Sequence, residues 1–414
     1  MAADRAATAR QEKFLEHAAA ANALVAQGQY AAAVPALKEA IALAPAKMSP
    51  ELFTTYNNLG AAYSALGRID DALKVLHAIQ VRTLPVPETE LARPEYRRER
   101  VRLATAMGNI LLARGKLVEA EIVYRRAVTL GPEDAAAHGN LANVLFLQGK
   151  FAEADAQFDL AVARDPNNPE TLNNWGIMLL NNKHPSEAEK KFRSALFLNP
   201  KSAKYWHGLG LALRAQGRYG PALQAQRTAL VCDDKMMDAL LELADLYAQL
   251  KDYKQAEIYL RGALDSKHGD PNNLQAILAL ARLLAGTNDP GQRNYLESAT
   301  LLQQAVELTH QQDVNLLAQL ADMYALAGFY DRARETISLA LQRAGEQNLS
   351  PVDRELLLQR SMRYSDLQAP VTATGDASPL TTVGDPLGLN PQPDPYDPPK
   401  PAPKLPPIEL VSPP

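Results

Sequence analysis

Cysteine is almost missing from this chain. Of 414 residues only Cys232 carries a thiol, so no intrachain disulfide can form. Cys232 itself falls late in an expected helix, where a small half-buried residue is the reading. Aromatic residues are scarce at 6%, against 47% hydrophobic residues of which much is alanine, a supply that suits closely packed helices better than a sheet core. No apolar run reaches the roughly 18 residues that a membrane-crossing helix needs, so no membrane insertion is expected. The excess of one charge sign is small: the formal net charge is −4 with Lys and Arg spread throughout, which excludes the footprint of a nucleic-acid or anionic-membrane binder. The seven histidines, His17, His77, His138, His184, His207, His268 and His310, include no pair three or four residues apart to grip a metal. A phosphate-cradling Gly-x-x-x-x-Gly-Lys-Ser/Thr loop and a Gly-x-Ser-x-Gly elbow are also absent. The expectation is a protein with no enzymatic activity, cofactor or metal. The opening Met-Ala-Ala-Asp-Arg carries charge where a signal peptide has its apolar core. On that basis the chain reads as cytoplasmic, or as periplasmic or envelope-associated if an export signal has been removed.

What the chain does have is a period of 34 residues. Gly108, Gly115, Ala120, Tyr124, Ala127 and Pro132 return as Ala142, Gly149, Ala154, Phe158, Ala161 and Pro166. The next copy offers Gly176, Lys183, Ala188, Phe192, Ala195 and Pro200, and the one after it Gly210, Gly217, Ala222, Gln226, Ala229 and Asp234. Small residues are needed where two helices cross closely, an aromatic fills the space between them, and proline falls where one helix has ended and another begins. This period and pattern resemble the tetratricopeptide repeat (TPR), a helix–turn–helix unit. The resemblance implies an all-α fold in which TPR units coil into a right-handed superhelix (an α-solenoid) with a concave inner groove.

Residues 1–13 form a polar lead-in, and about nine units follow. They span 14–47, 53–86, 101–134, 135–168, 169–202, 203–236, 237–270, 271–312 with a loop insertion near 286–293, and 314–347. Residues 87–100 fall outside the register, as a longer second helix or an added loop, and the alternation of Glu95 and Glu99 with Arg97, Arg98, Arg100 and Arg102 reads as a solvated helix face. A capping helix at 351–364 is expected to cover the last repeat. From 365 to 414 proline dominates, which excludes helix and sheet and leaves a disordered or polyproline II tail. Its Pro-x-x-Pro spacings suit an SH3- or WW-type partner, the bland alternative being a spacer; Ile408-Glu-Leu-Val411 is its apolar cluster.

The second, fifth and ninth positions of each first helix share one face, and the resemblance places that face in the groove. With the sixth position included, the residues there are Arg102, Thr105 and Asn109, then Asn140 and Asn143, then Asn173 and Asn174, with Asn57 and Asn58 equivalent earlier. An asparagine amide donates and accepts, so a row of them can hold the backbone of an extended peptide, or can link neighbouring helices. Lys204, His207 and Arg214 follow, and then the groove turns acidic at Asp238, Glu242, Asp245 and Asp322. A ligand with a basic end toward those acids is expected. Asn143, Asn174 and Lys204 also match three positions of the two-carboxylate clamp of chaperone-binding TPR domains, but Gly139 and Gly208 stand where two of its three cations would be. The resemblance implies an adaptor or scaffold that holds a protein or peptide partner in the groove. The alternative is a fixed subunit of a larger bacterial pilus, secretion or envelope complex, using its convex face and edges.

Overall fold

The small-and-aromatic pattern becomes the contact between two helices. In the computed structural model a β-carbon placed on Gly108 would lie 2.5 Å from the ring of Tyr124, and one on Gly176 would lie 2.8 Å from the ring of Phe192. Both aromatic rings are wholly buried. The close crossing is therefore possible only because these positions lack a side chain, and the aromatic fills what the missing side chain leaves.

The structure describes residues 2–45, 48–83, 86–286 and 294–366. The expected loop at 287–293 and the proline-rich tail from 367 lie outside them, as do residues 84 and 85 of the expected break. The described residues hold twenty helices and no strand. They divide into two compact units, split between Pro200 and Lys201.

In the first unit, α1 (Ala2–Ala26) packs on α2 (Tyr30–Leu43), and α3 (Pro50–Ala65) on α4 (Ile69–Arg82). A short α5 (Glu88–Leu91) precedes α6 (Pro94–Ala113), which pairs with α7 (Leu117–Leu130). Then come α8 (Ala135–Leu147) with α9 (Phe151–Arg164), and α10 (Pro169–Asn181) with α11 (Pro185–Leu198). In the second unit the pairs are α12 (Ala203–Ala215) with α13 (Tyr219–Cys232), α14 (Met237–Gln249) with α15 (Tyr253–Leu264), α16 (Leu274–Gly286) with α17 (Tyr295–Leu308), and α18 (Val314–Leu326) with α19 (Tyr330–Glu346). The terminal helix α20 (Pro351–Ser365) lies on α19 and buries Leu357 and Tyr364.

Wherever the turn within a pair is described, it carries a left-handed residue. Gly115, Gly149 and Gly217 have φ of +71°, +76° and +73°, and Lys183 takes the same conformation at +62° one period along. The chain then closes back: the backbone N–H of Lys116 donates to Leu111 O, that of Lys150 to Leu145 O and that of His184 to Leu179 O. This is the glycine-type helix stop, which satisfies carbonyls the helix end would otherwise leave open. Between several of the pairs a capping side chain starts the next helix: Asp134 accepts from Ala137 N, Asn168 from Glu170 N and Thr171 N, and Asp313 from Asn315 N and Leu316 N.

Three expectations change. The residues at 87–100 neither lengthen the second helix before them nor form a plain loop. They make α5 and then extend the first helix of the following pair back to Pro94, a proline at the helix start where no N–H is needed. Tyr96 anchors the extension, buried edge-on against Phe53 at 6.0 Å and donating from Oη to Met48 O at 2.8 Å. Second, Glu99 is not on a solvated face. It is buried, accepts from Asn57 Nδ2 at 3.0 Å and pairs with Arg102 at 3.1 Å. Third, Cys232 is exposed rather than half-buried, because it is the last residue of α13.

Candidate functional site

In the first unit the asparagines divide by what they bond. Asn57 donates into Glu99, Asn58 donates to Asn22 Oδ1 at 2.9 Å, and Asn109 accepts from Tyr124 Oη at 2.6 Å. Asn173, buried, donates to half-buried Asn174 at 3.3 Å. These amides link helix to helix or to each other. Thr105 is half-buried and Arg102 is held by Glu99. The side-chain amides of Asn140 and Asn143, one turn apart on α8 and half-buried, have no hydrogen-bond partner among the described residues. Of the row expected to grip a peptide, they are the amides left unengaged.

The second unit carries a concavity. A cleft of about 1040 Å³ is walled by the first helices of three consecutive pairs, α12, α14 and α16. The helical repeat selects which residues face it. From α12 come His207, Leu211 and Arg214; from α14 Asp238, Leu241, Glu242, Asp245 and Ala248; from α16 Gln275, Leu278, Ala279 and Arg282. Steps of three and four residues keep each set on one helix face. Five residues singled out in the sequence, His207, Arg214, Asp238, Glu242 and Asp245, thus meet at one site. Lys204 is exposed on α12 and does not line it, and its ammonium lies 5.2 Å from the Tyr205 ring centre.

The charges at this site are partly engaged already. Arg214 Nη1 donates to both Glu242 carboxylate oxygens at 2.8 Å, while Nη2 donates to Asp245. Burial works against the Arg214 charge, yet Glu242 and Asp245 hold its guanidinium above the usual arginine value. His207 Nδ1 lies 2.9 Å from Gln226 Oε1, and Gln226 also donates back to His207 O. The groove is therefore less acidic than a count of carboxylates suggests. Asp322, on α18, accepts from Tyr364 Oη and pairs with Arg360 at 3.3 Å. Asp238 on α14 and Arg282 on α16 are both exposed, and neither has an ion pair or side-chain hydrogen bond among the described residues.

The floor of the cleft went unread in the sequence. Leu211 stands at the ninth position of its unit and Leu241 at the fifth, the same places that were searched for polar groups. Together with Leu278 they give the site its apolar surface. A search of those positions for leucine as well as asparagine would have found Leu211 and Leu241, though not Leu278, the eighth residue of its unit.

Three models described as tetratricopeptide repeat match this chain, one over residues 105–169 and 174–236, one over 24–82 and one over 238–267. The protein belongs to the tetratricopeptide repeat family, whose repeats generally mediate contacts between proteins. No curated protein matches its sequence. Among solved structures it is similar to pilF of Pseudomonas aeruginosa, at 26% identity over 51% of this chain and 93% of that one, with a TM-score of 0.43. It is similar also to a tetratricopeptide repeat protein of Parabacteroides merdae, at 17% identity over 75% of this chain and 98% of that one, with a TM-score of 0.43. A third is the C-terminal part of a TPR repeat-containing protein of Cytophaga hutchinsonii, at 21% identity over 64% and 99% of the two chains, with a TM-score of 0.46. No helix among the described residues is long and apolar enough to cross a membrane.

Proposed function

We propose that this protein is a non-catalytic adaptor that takes an extended peptide segment of a protein partner in the cleft formed by α12, α14 and α16. The observation that carries the reading is the cleft itself: the first helices of three successive pairs turn leucines inward, with an acid and a base at its wall that have no ion pair among the described residues. Leu211, Leu241 and Leu278 would receive apolar side chains, which supply most of the affinity. Asp238 and Arg282 would set the direction of the peptide through one cation and one anion. Asn140 and Asn143, in the first unit, would offer a separate contact to peptide backbone, independent of the cleft. Each such hydrogen bond is worth about 1 kcal/mol net, so two add to an affinity but do not make one.

Selection of peptides from a random pool displayed on phage, with the full chain as bait, tests this. Peptides selected by the unaltered protein should bind Asp238→Lys and Arg282→Glu at least about tenfold more weakly. Both side chains are exposed, so neither change threatens the fold. Equal affinity in both variants would remove the cleft as the peptide site. A second reading, a subunit fixed within a larger assembly, is favoured by the apolar side chains that α7 and α11 leave in water: Val118, Ile122 and Phe197 are 63%, 64% and 63% exposed. Stable self-association or co-purification lost on changing these three to serine, and unaffected by the cleft variants, would favour it.

A further inference from the structure

We propose that the cleft has an occupant within this chain: the segment Lys400–Val411, which binds there in the absence of a partner and which a partner must displace. The inference rests on the cleft being a peptide site, and it adds what regulates that site.

The argument begins with what the cleft lacks. Its apolar floor is open, and Asp238 and Arg282 have no counter-charge among the described residues. An occupant matching it needs apolar side chains flanked by a cation and an anion. Beyond Asp366, the residue that follows α20, the sequence has no arginine and only two lysines, Lys400 and Lys404. They stand directly before the densest apolar stretch that also carries an acid, Leu405-Pro-Pro-Ile408-Glu409-Leu410-Val411. The order is cation, apolar, anion, apolar. Lys404 answers Asp238, Leu405 and Ile408 answer the leucine floor, and Glu409 answers Arg282. The other apolar residues beyond Asp366, such as Val371, Leu380 and Leu387, have no cation beside them.

Proline suits the role as well. Because proline fixes φ, a segment that carries Pro401, Pro403, Pro406 and Pro407 loses less conformational freedom on binding than a proline-free one of the same length. Reach is no obstacle. The 38 residues from Asp366 to Lys404 span up to about 120 Å at the polyproline II rise, and α20 and the cleft belong to the same unit. A tether of this kind presents its end at an effective concentration on the order of millimolar. Even a weak match of about 0.1 mM would then fill the cleft most of the time and lower the apparent affinity of a competing peptide about tenfold. A second copy of the chain offers the same segment, but only at its bulk concentration.

Two measurements on the full chain test this. In the first, the protein at low micromolar concentration is treated with a carbodiimide, which joins amines to carboxylates in direct contact, and the links are mapped by mass spectrometry. Links from Lys404 or Lys400 to Asp238, within single chains and at a yield independent of protein concentration, are expected. Links found only between chains, rising with concentration, or no links from these lysines to the cleft, would overturn the proposal. In the second, a peptide selected from the phage pool by the full-length Lys404→Glu, Leu405→Asp variant is titrated into that variant and into the unaltered chain. The variant is expected to bind about tenfold more tightly. Equal affinity would overturn the proposal while leaving the cleft a peptide site. Binding that ignores Asp238→Lys in both backgrounds would instead defeat the cleft as a peptide site.

Discussion

The packing pattern makes a prediction whose sign differs between two glycines of the same kind. Gly176 in α10 and Gly139 in α8 are both helical and buried. A glycine-to-alanine change inside a helix gains about 0.5–1 kcal/mol, because the unfolded chain gives up less freedom on folding. At Gly176 the new methyl meets three atoms of the Phe192 ring at 2.8, 2.9 and 3.0 Å, and that ring is wholly buried and has nowhere to go. Overpacking of this kind costs about 1–3 kcal/mol, so Gly176→Ala should destabilise by about 1–2 kcal/mol net. At Gly139 the nearest atom is Thr171 Oγ1 at 3.8 Å, an ordinary contact, so Gly139→Ala should stabilise by up to about 1 kcal/mol. Urea unfolding of the two variants beside the unaltered chain reads the difference, and hydrogen exchange in α10 and α11 places it. Contacts in a repeat array run only between neighbours, so the loss should concentrate there. Phe192→Leu should shrink the cost of Gly176→Ala, since two changes in contact do not add. Gly176→Ala at or above the stability of the unaltered chain would refute the close-crossing account.

Two further outcomes follow from side chains in the same repeats. Burial pushes the Tyr124 phenol up to about 12, so the folded chain holds the neutral form; that contribution is whole below pH 10 and is lost as pH rises from 10 toward 12. Tyr124→Phe should therefore cost about 1 kcal/mol at pH 8, through the lost bond to Asn109, and its deficit should shrink by about 1 kcal/mol at pH 11; a deficit constant with pH would count against it. Lys183 sits at φ +62° where the neighbouring pairs have Gly149 and Gly217, so Lys183→Gly should raise the thermal midpoint, by roughly 0.5–1 kcal/mol in stability, and a lowered midpoint would show that the lysine side chain does more there than the backbone suggests.

The fold was legible because six positions hold one period, and each has a single physical task that residue type reveals: a close crossing, a left-handed turn, a filling ring, a helix break. The irregularities were less so. Nothing in residues 87–100 distinguishes an extended first helix from a lengthened second one until Tyr96 is seen to reach Met48, a partner 48 residues away. Glu99 looked solvated because its neighbours in sequence are charged, yet Asn57 meets it from a different pair of helices, 42 residues earlier. Part of the candidate site in the second unit could be read: the resemblance to the tetratricopeptide repeat placed His207, Arg214, Asp238, Glu242 and Asp245 in the groove. The leucine floor was missed because polar groups alone were sought there.

Which of those charges remain available was decided by a second register in the sequence. Arg125 bonds Glu153, Lys150 bonds Glu121 and Arg164 bonds Glu133, at separations of 28, 29 and 31 residues. Arg214 reaches Glu242 and Asp245 at separations of 28 and 31. One period of 34 brings the chain to the equivalent place on the neighbouring pair, and three to six residues fewer set the contact one to two helical turns off that place. Two pairs at longer separations fit it once the extra residues between them are subtracted. Arg114 and Asp70 are 44 apart, and the 14 residues at 87–100 lie between them, which leaves 30. Arg261 and Glu297 are 36 apart across the unit 271–312, which exceeds one period by eight, leaving 28. Because the backbone spacing is set by helix packing, such pairs follow from position alone. An acid that stands 28 to 31 residues from an arginine on the facing helix is a structural partner first. In the cleft this removes Glu242 and Asp245 from the charges a ligand meets and leaves Asp238 and Arg282, one of each sign. A ligand that this cleft selects should therefore carry both a cation and an anion, and not the cation alone that a count of its carboxylates implies.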